Sequence, residues 1–193
     1  MRNPAARSPA PASSSEHELD IGGLYRQHAR TVARWAGRLG GHDVDVEDVV
    51  QEVFLIAKQR LRRFDGGQQI STWLFRTTEK IVQTARRKQR LRRWLSLSTQ
   101  VPAPGMGTPH RGPAEVLQCR RDIDCVYRVL DRLNEKQRRV LILFELEGLS
   151  THEIAALTGV QVGTVRIWLF RARARFIKEH AQVTGIPATT EKR

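Results

Sequence analysis

The stretch Leu149–Arg175, LSTHEIAALTGVQVGTVRIWLFRARAR, decides how this chain is read. Ser150-Thr151-His152-Glu153 has the S-x-x-E form of a capping box, in which serine hydroxyl and glutamate carboxylate each satisfy a backbone N–H at a helix start. A short helix then runs through Ile154, Ala155, Ala156 and Leu157, and Gly159 stands where the chain must turn. Beyond it Val165, Leu169, Ala172 and Phe176 recur at helical spacing as a stripe to be buried. Thr164, Trp168, Arg171 and Arg175 are expected to face away, flanked by Arg166 and Arg173. Two helices joined at a glycine turn, the second studded with arginine, match a helix-turn-helix whose second helix enters the DNA major groove. Base readout falls to Thr164 and Arg166 near the start of that helix, since arginine can reach guanine bidentately. Arg171, Arg173 and Arg175 lie farther along, where phosphate contact is expected. The competing reading is a helical hairpin with a solvated basic face.

Working back from this motif, Asn134 with Gln137 caps the preceding helix. The helix before that begins near Ala114, with Val116, Cys119, Ile123, Val126, Leu130 and Leu133 in one stripe. Residues 95–113 are rich in Ser, Thr, Pro and Gly and read as a flexible linker. Upstream lie three more helices. The first carries Ile21, Leu24, His28, Val32, Trp35 and Leu39 on one face and stops at Gly40-Gly41. The second starts among Asp43, Asp45, Glu47 and Asp48, where negative charge suits the helix dipole, and its stripe is Val46, Val49, Val50, Val53, Phe54 and Leu61. After a loop at 64–69, the third carries Ile70, Trp73, Leu74, Thr77 and Ile81 on one side, with Arg76, Lys80, Gln83 and Arg87 opposite. Trp73 sits on the apolar side and is read as core rather than as a base-stacking platform. The run Arg86, Arg87, Lys88, Arg90, Arg92, Arg93 is expected to meet phosphate, its alternative being a solvated helix end. No strand-like alternation occurs, so the expected fold is all-α: two small helical domains, 21–94 and 114–179, with tails at 1–20 and 180–193.

The charge balance agrees. Lys and Arg outnumber Asp and Glu 33 to 20, a formal +13 in 193 residues, which points to a polyanionic partner. No apolar run approaches a membrane span and no signal-peptide core is present, so a cytoplasmic chain without membrane insertion is expected. An enzyme is disfavoured: no P-loop, nucleophile motif or histidine-rich ligand set occurs, and no cofactor or metal is expected. Asp43, Asp45 and Glu47 alternate like calcium-loop ligands, but the sixth position is Asp48 instead of Gly and the twelfth Phe54 instead of Glu. Cys119 and Cys125, six apart on one helix, point to different sides and make neither a disulfide framework nor a zinc site.

Asp48-Val49-Val50-Gln51-Glu52-Val53-Phe54, Arg63-Phe64-Asp65 and Trp73-Leu74-Phe75-Arg76 together resemble conserved region two of bacterial sigma factors. Leu149-Ser150-Thr151-His152-Glu153-Ile154-Ala155, Gly163-Thr164-Val165 and Arg171-Ala172-Arg173-Ala174 resemble region four. Both sets in order with a short linker are similar to the extracytoplasmic function subgroup. The resemblance implies that Asp48, Gln51, Glu52, Phe54 and Leu55 dock on the coiled coil of the largest subunit of core RNA polymerase. It implies that Phe64, Asp65, Gln68, Arg76, Lys80 and Arg87 capture the −10 promoter element. Thr164, Arg166, Trp168, Arg171, Arg173 and Arg175 would serve the −35 element, and an anti-sigma factor is an expected partner. Acidic residues clustered on one helix of a strongly basic chain independently suggest a basic protein surface, while Asp43 and Asp45 equally suit a helix start. Lys80, Thr84 and Trp168 depart from the residues the family commonly shows there. A stand-alone regulator that uses the helix-turn-helix and binds something else with its first domain is the other reading.

Overall fold

Helix α1, Ile21–Gly40, begins where Asp20 can cap it: its carboxylate accepts the N–H groups of Gly22 and Gly23, each at 2.9 Å. These backbone bonds hold the Asp20 carboxyl below its ordinary range. The helix stops at Gly41, whose φ of 63° is left-handed and whose absent Cβ would lie 2.8 Å from the Tyr127 ring. A 3-10 turn, Gly41–Asp43, leads to α2, Val46–Arg60, started by the Asp45 carboxylate accepting from Glu47 N at 2.9 Å and Asp48 N at 3.2 Å. Helix α3 runs from Ile70 to Ser96. The second half holds α4 (Pro113–Leu130), α5 (Glu135–Leu141) widening into a π turn at Ile142–Leu146, α6 (Thr151–Thr158) and α7 (Val162–Thr184). A computed structural model describes residues 20–60, 69–96 and 113–185, without the side chains of 96 and 113–120. The Leu61, Val116 and Cys119 side chains and the loop before α3 lie outside the described residues. Among the described residues there is no strand, and no helix is long and apolar enough to cross a membrane.

The expected caps form. Asn134 Oδ1 accepts Gln137 N at 2.9 Å, and Ser150 and Glu153 complete the capping box at 3.2 and 2.8 Å. Gly159 takes φ 72° and closes α6 with its N–H on the Ala155 carbonyl. The apolar stripes bury as read: Leu24, Val32, Trp35 and Leu39 on α1 meet Val49, Val50, Val53 and Phe54 on α2 and Leu74 and Ile81 on α3. In the second domain Leu130, Leu133, Val140, Leu141 and Ile142 pack with Ile154, Val165, Leu169 and Ala172. Ile123 departs from its stripe, being 45% exposed.

Two features exceed the sequence reading. Helix α3 also buries Phe75, Thr78, Val82 and Arg86, a wider arc than one apolar stripe, because it packs against α1 and α2 on one side and α6 on the other. The two domains therefore dock. Across the seam Glu147, between the domains, receives Arg34 and Arg38 at 2.9 Å each, and Glu79 pairs with Arg139 at 2.7 Å. Arg38 also donates to the Leu146 carbonyl.

Ser150→Ala is expected to lower stability by about 1 kcal/mol, measured by urea unfolding. Hydrogen bonds from Ser150 hold the Glu153 carboxyl below its ordinary range. A depressed folded-state pKa stabilises above the unfolded value and loses that effect as pH falls through the folded one. The stability gap between wild type and Glu153→Gln should accordingly be full at neutral pH and close on acidification below about pH 4.

Candidate functional site

On α2, local chemistry separates the acids. Asp45 caps the helix and Asp43 pairs with Arg93, so both serve the helix start and its packing. Asp48, Gln51, Glu52 and Leu55 stand at i, i+3, i+4 and i+7, all exposed, Leu55 by 60%. That spacing makes one continuous face. Phe54 does not belong to it. It is 7% exposed and packs edge-on to Tyr25 with ring centroids 4.8 Å apart, so it supports the face from the core and cannot itself meet a partner. Tyr25, half exposed, extends the rim from α1.

Helices α2 and α3 wall an open groove of about 730 Å³. One wall carries Asp48 and Glu52, the other Arg76, Lys80, Lys88 and Arg92. Arg76, Lys80 and Arg87 are exposed, as a phosphate-tracking face requires. Trp73 is partly buried against the core, in keeping with its place on the apolar side. Phe64, Asp65 and Gln68 fall outside the described residues. Arg86 corrects the reading of the basic run. It is 2% exposed, with Nη2 2.8 Å from Asp131 and Nη1 3.3 Å from the Leu39 carbonyl, and so is withdrawn from phosphate.

On α7 the buried stripe forms, yet the open face is rotated from the one expected. At about 100° per residue, Gly163, Ile167, Phe170 and Ala174 lie opposite Val165, Leu169 and Ala172, whereas Trp168 is displaced from the stripe by only about 70°. Trp168 is half-buried, with Lys136 Nζ 5.3 Å and Arg139 Cζ 5.8 Å from its ring centroid. The tryptophan thus faces α5 and is removed from the DNA-facing set. The open side of the helix carries Ile167 and Phe170, 52% and 77% exposed, beside Arg166 and Arg171. Plotting the opposite of the apolar stripe would have found them. Arg173 and Arg175 are tied to Glu145 at 2.7 Å and Glu179 at 2.8 Å, while among the described residues Arg166 and Arg171 have no carboxylate partner. Thr164 is half-buried.

Comparison with known proteins accords with this arrangement. The sigma-70 region 2 family matches residues 24–92 and the sigma-70 region 4 family residues 123–176. The RNA polymerase sigma factor CnrH of Cupriavidus metallidurans is 30% identical over 89% of this chain and 92% of its own length. The ECF RNA polymerase sigma-E factor of Escherichia coli is 36% identical over 67% of this chain and 70% of its own. A solved structure of CnrH in complex with the cytosolic domain of CnrY superposes with a TM-score of 0.55 at 27% identity, over 84% of this chain and 88% of that one. The chain belongs to the sigma-70 family, whose members are transcription initiation factors. Within it, this is an alternative sigma factor of the extracytoplasmic function group, which binds core RNA polymerase and directs initiation at promoters by recognising −35 and −10 elements.

Trp168→Ala is expected to destabilise the second domain by about 2 kcal/mol, from lost apolar contact and two cation–π pairs. Chemical denaturation reads this directly. A variant of unchanged stability but weakened DNA binding would restore Trp168 to the DNA face.

Proposed function

We propose that the two DNA elements and the polymerase are divided among three exposed surfaces, the observation carrying this being their segregation of charge. Asp48, Gln51, Glu52 and Leu55 on α2 form the polymerase-docking face, where negative charge repels DNA and complements a basic coiled-coil surface. Arg76, Lys80 and Arg87, with Phe64, Asp65 and Gln68 of the preceding loop, take the −10 element, the arginines and lysine tracking phosphates while the loop holds an unstacked base. Arg166 and Arg171, with Thr164 at the edge and Ile167 and Phe170 between them, take the −35 element. Their apolar side chains suit thymine methyl groups. Residues 21–94 and 114–179 are the corresponding functional units, joined by 95–113.

The chain acts by binding instead of catalysis, in the cytoplasm, where polymerase and promoter are found. Its regulator is an anti-sigma factor, supported by the CnrH–CnrY complex, whose sigma component it resembles. An open apolar groove of about 280 Å³ between α4, the π turn and α7, with Leu130, Ile142, Leu146, Phe176 and Ile177, has the character that accepts an amphipathic helix.

Asp48→Lys with Glu52→Lys should abolish co-purification with core polymerase and run-off transcription while leaving far-UV circular dichroism unchanged. Retained binding would reassign the face. Arg166→Ala should cost roughly 1–3 kcal/mol and relax sequence preference in the −35 element. A uniform loss on every sequence would make Arg166 a phosphate contact.

A further inference from the structure

An open cavity of about 390 Å³ lies among the end of α1, the end of α3, α4 and α5, and none of the docking surfaces described above includes it. Four of its lining side chains are arginines: Arg93, Arg121, Arg128 and Arg138. The three lining carboxylates are each already engaged. Asp43 pairs with Arg93, Asp124 with His42 Nε2 at 3.1 Å, and Asp131 with Arg86 Nη2 at 2.8 Å and Arg138 Nε at 3.6 Å. With Arg86 behind the wall, five guanidiniums stand against three carboxylates, so the cavity keeps an excess of positive charge. A concave site with such an excess and low-dielectric walls draws anions.

The excess is placed where a ligand would feel it. Arg138 is 2% exposed, and its Nε and Nη2 have no hydrogen-bond partner among the described residues, so the inner wall holds a buried cation whose charge is incompletely met. Such a charge acts on the cavity with little screening. Arg121 and Arg128 are exposed and have no carboxylate partner among the described residues. Seven residues apart, they stand on one face of α4, about 10 Å from each other along the axis at 1.5 Å per residue. Each guanidinium fork can take one phosphoryl group bidentately, and two forks at that spacing suit two linked phosphoryl groups better than one. Tyr127 closes the cavity beside them: its ring lies against Gly41, edge-on to His42 with centroids 5.3 Å apart, and 6.0 Å from Arg138 Cζ. The volume is that of a small-molecule pocket, and a DNA backbone, continuous and convex, does not enter a space of this size.

We propose that this cavity binds a small ligand bearing a diphosphate group, with Arg121 and Arg128 taking the phosphoryl oxygens and Arg138 supplying charge from the inner wall. Inorganic diphosphate and a nucleoside diphosphate share this chemistry, and the His42 and Tyr127 rings stand where the remainder of the second would lie. The site is separate from the surfaces assigned to polymerase and promoter, and it stands or falls independently of them.

Isothermal titration calorimetry of the full chain with sodium diphosphate, and separately with ADP, tests the site. Saturable binding of one ligand per chain is expected. Arg121→Ala with Arg128→Ala should weaken it by roughly tenfold or more, the scale of lost charge-assisted hydrogen bonds. Arg30→Ala with Lys178→Ala removes the same net charge from exposed positions outside the cavity and should bind as wild type does. Circular dichroism should be equal in all three proteins. ADP binding more tightly than diphosphate adds the two rings to the site, and equal binding confines it to the phosphoryl groups; both uphold it. No saturable binding of either ligand, or equal weakening in the two double variants, overturns the site. Weaker binding of a duplex oligonucleotide by Arg121→Ala with Arg128→Ala, with diphosphate binding unchanged, would make the two arginines a DNA contact and overturns it as well.

Discussion

Carbonyl groups in the last turn of a helix need partners from outside it, and the Leu39 carbonyl at the end of α1 finds two guanidiniums, one from each domain. Much of the arrangement depends on that oxygen. Both guanidiniums are nearly inaccessible and both also face Asp131, and Arg138 lies 6.0 Å from the Tyr127 ring centroid. Burial, with the neighbouring Arg86 guanidinium second, lowers the Arg138 pKa to about 10, and Asp131 opposes that shift. Burial likewise raises the Tyr127 hydroxyl beside them. The seam thus has a polar centre, beside which the apolar stripes of the two domains join in one core.

This arrangement suits a protein that must hold polymerase and two separated DNA elements together. One core, continuous through both domains, backs the surfaces that do so. The acidic face on α2, the basic face on α3 and the open side of α7 are each carried on a helix, where spacing fixes which side chains act together. Arg173, tied to Glu145, braces α7 against the π turn, Arg175 pairs along α7 with Glu179, and Arg166 and Arg171 are left to reach outward.

Most of the architecture was legible in the residues. Ser150 with Glu153, Asn134 with Gln137, Gly41 and Gly159 mark helix ends through local hydrogen bonds or backbone conformation, which neighbours in sequence decide. The stripes on α1, α2 and α7 follow from helical period. Phe54 was placed both in a stripe and on a docking face, and burial resolves it in favour of the stripe. Trp168 was read outward because α7 was judged alone; Lys136 and Arg139, about thirty residues earlier in the chain, turn it inward.

What the sequence by itself determined is the set of helices, their caps, the faces they bury and the two-domain sigma layout, because these depend on interactions within a few residues or on motifs with fixed spacing. Tertiary structure alone decided that the domains dock, that Arg86 leaves the basic run for Asp131 and Leu39, and that the outward face of α7 passes through Ile167 and Phe170. An arginine in a run of arginines carries no local mark of its partner. Asp131 lies 45 residues away in the chain, and only the fold brings that one carboxylate to it.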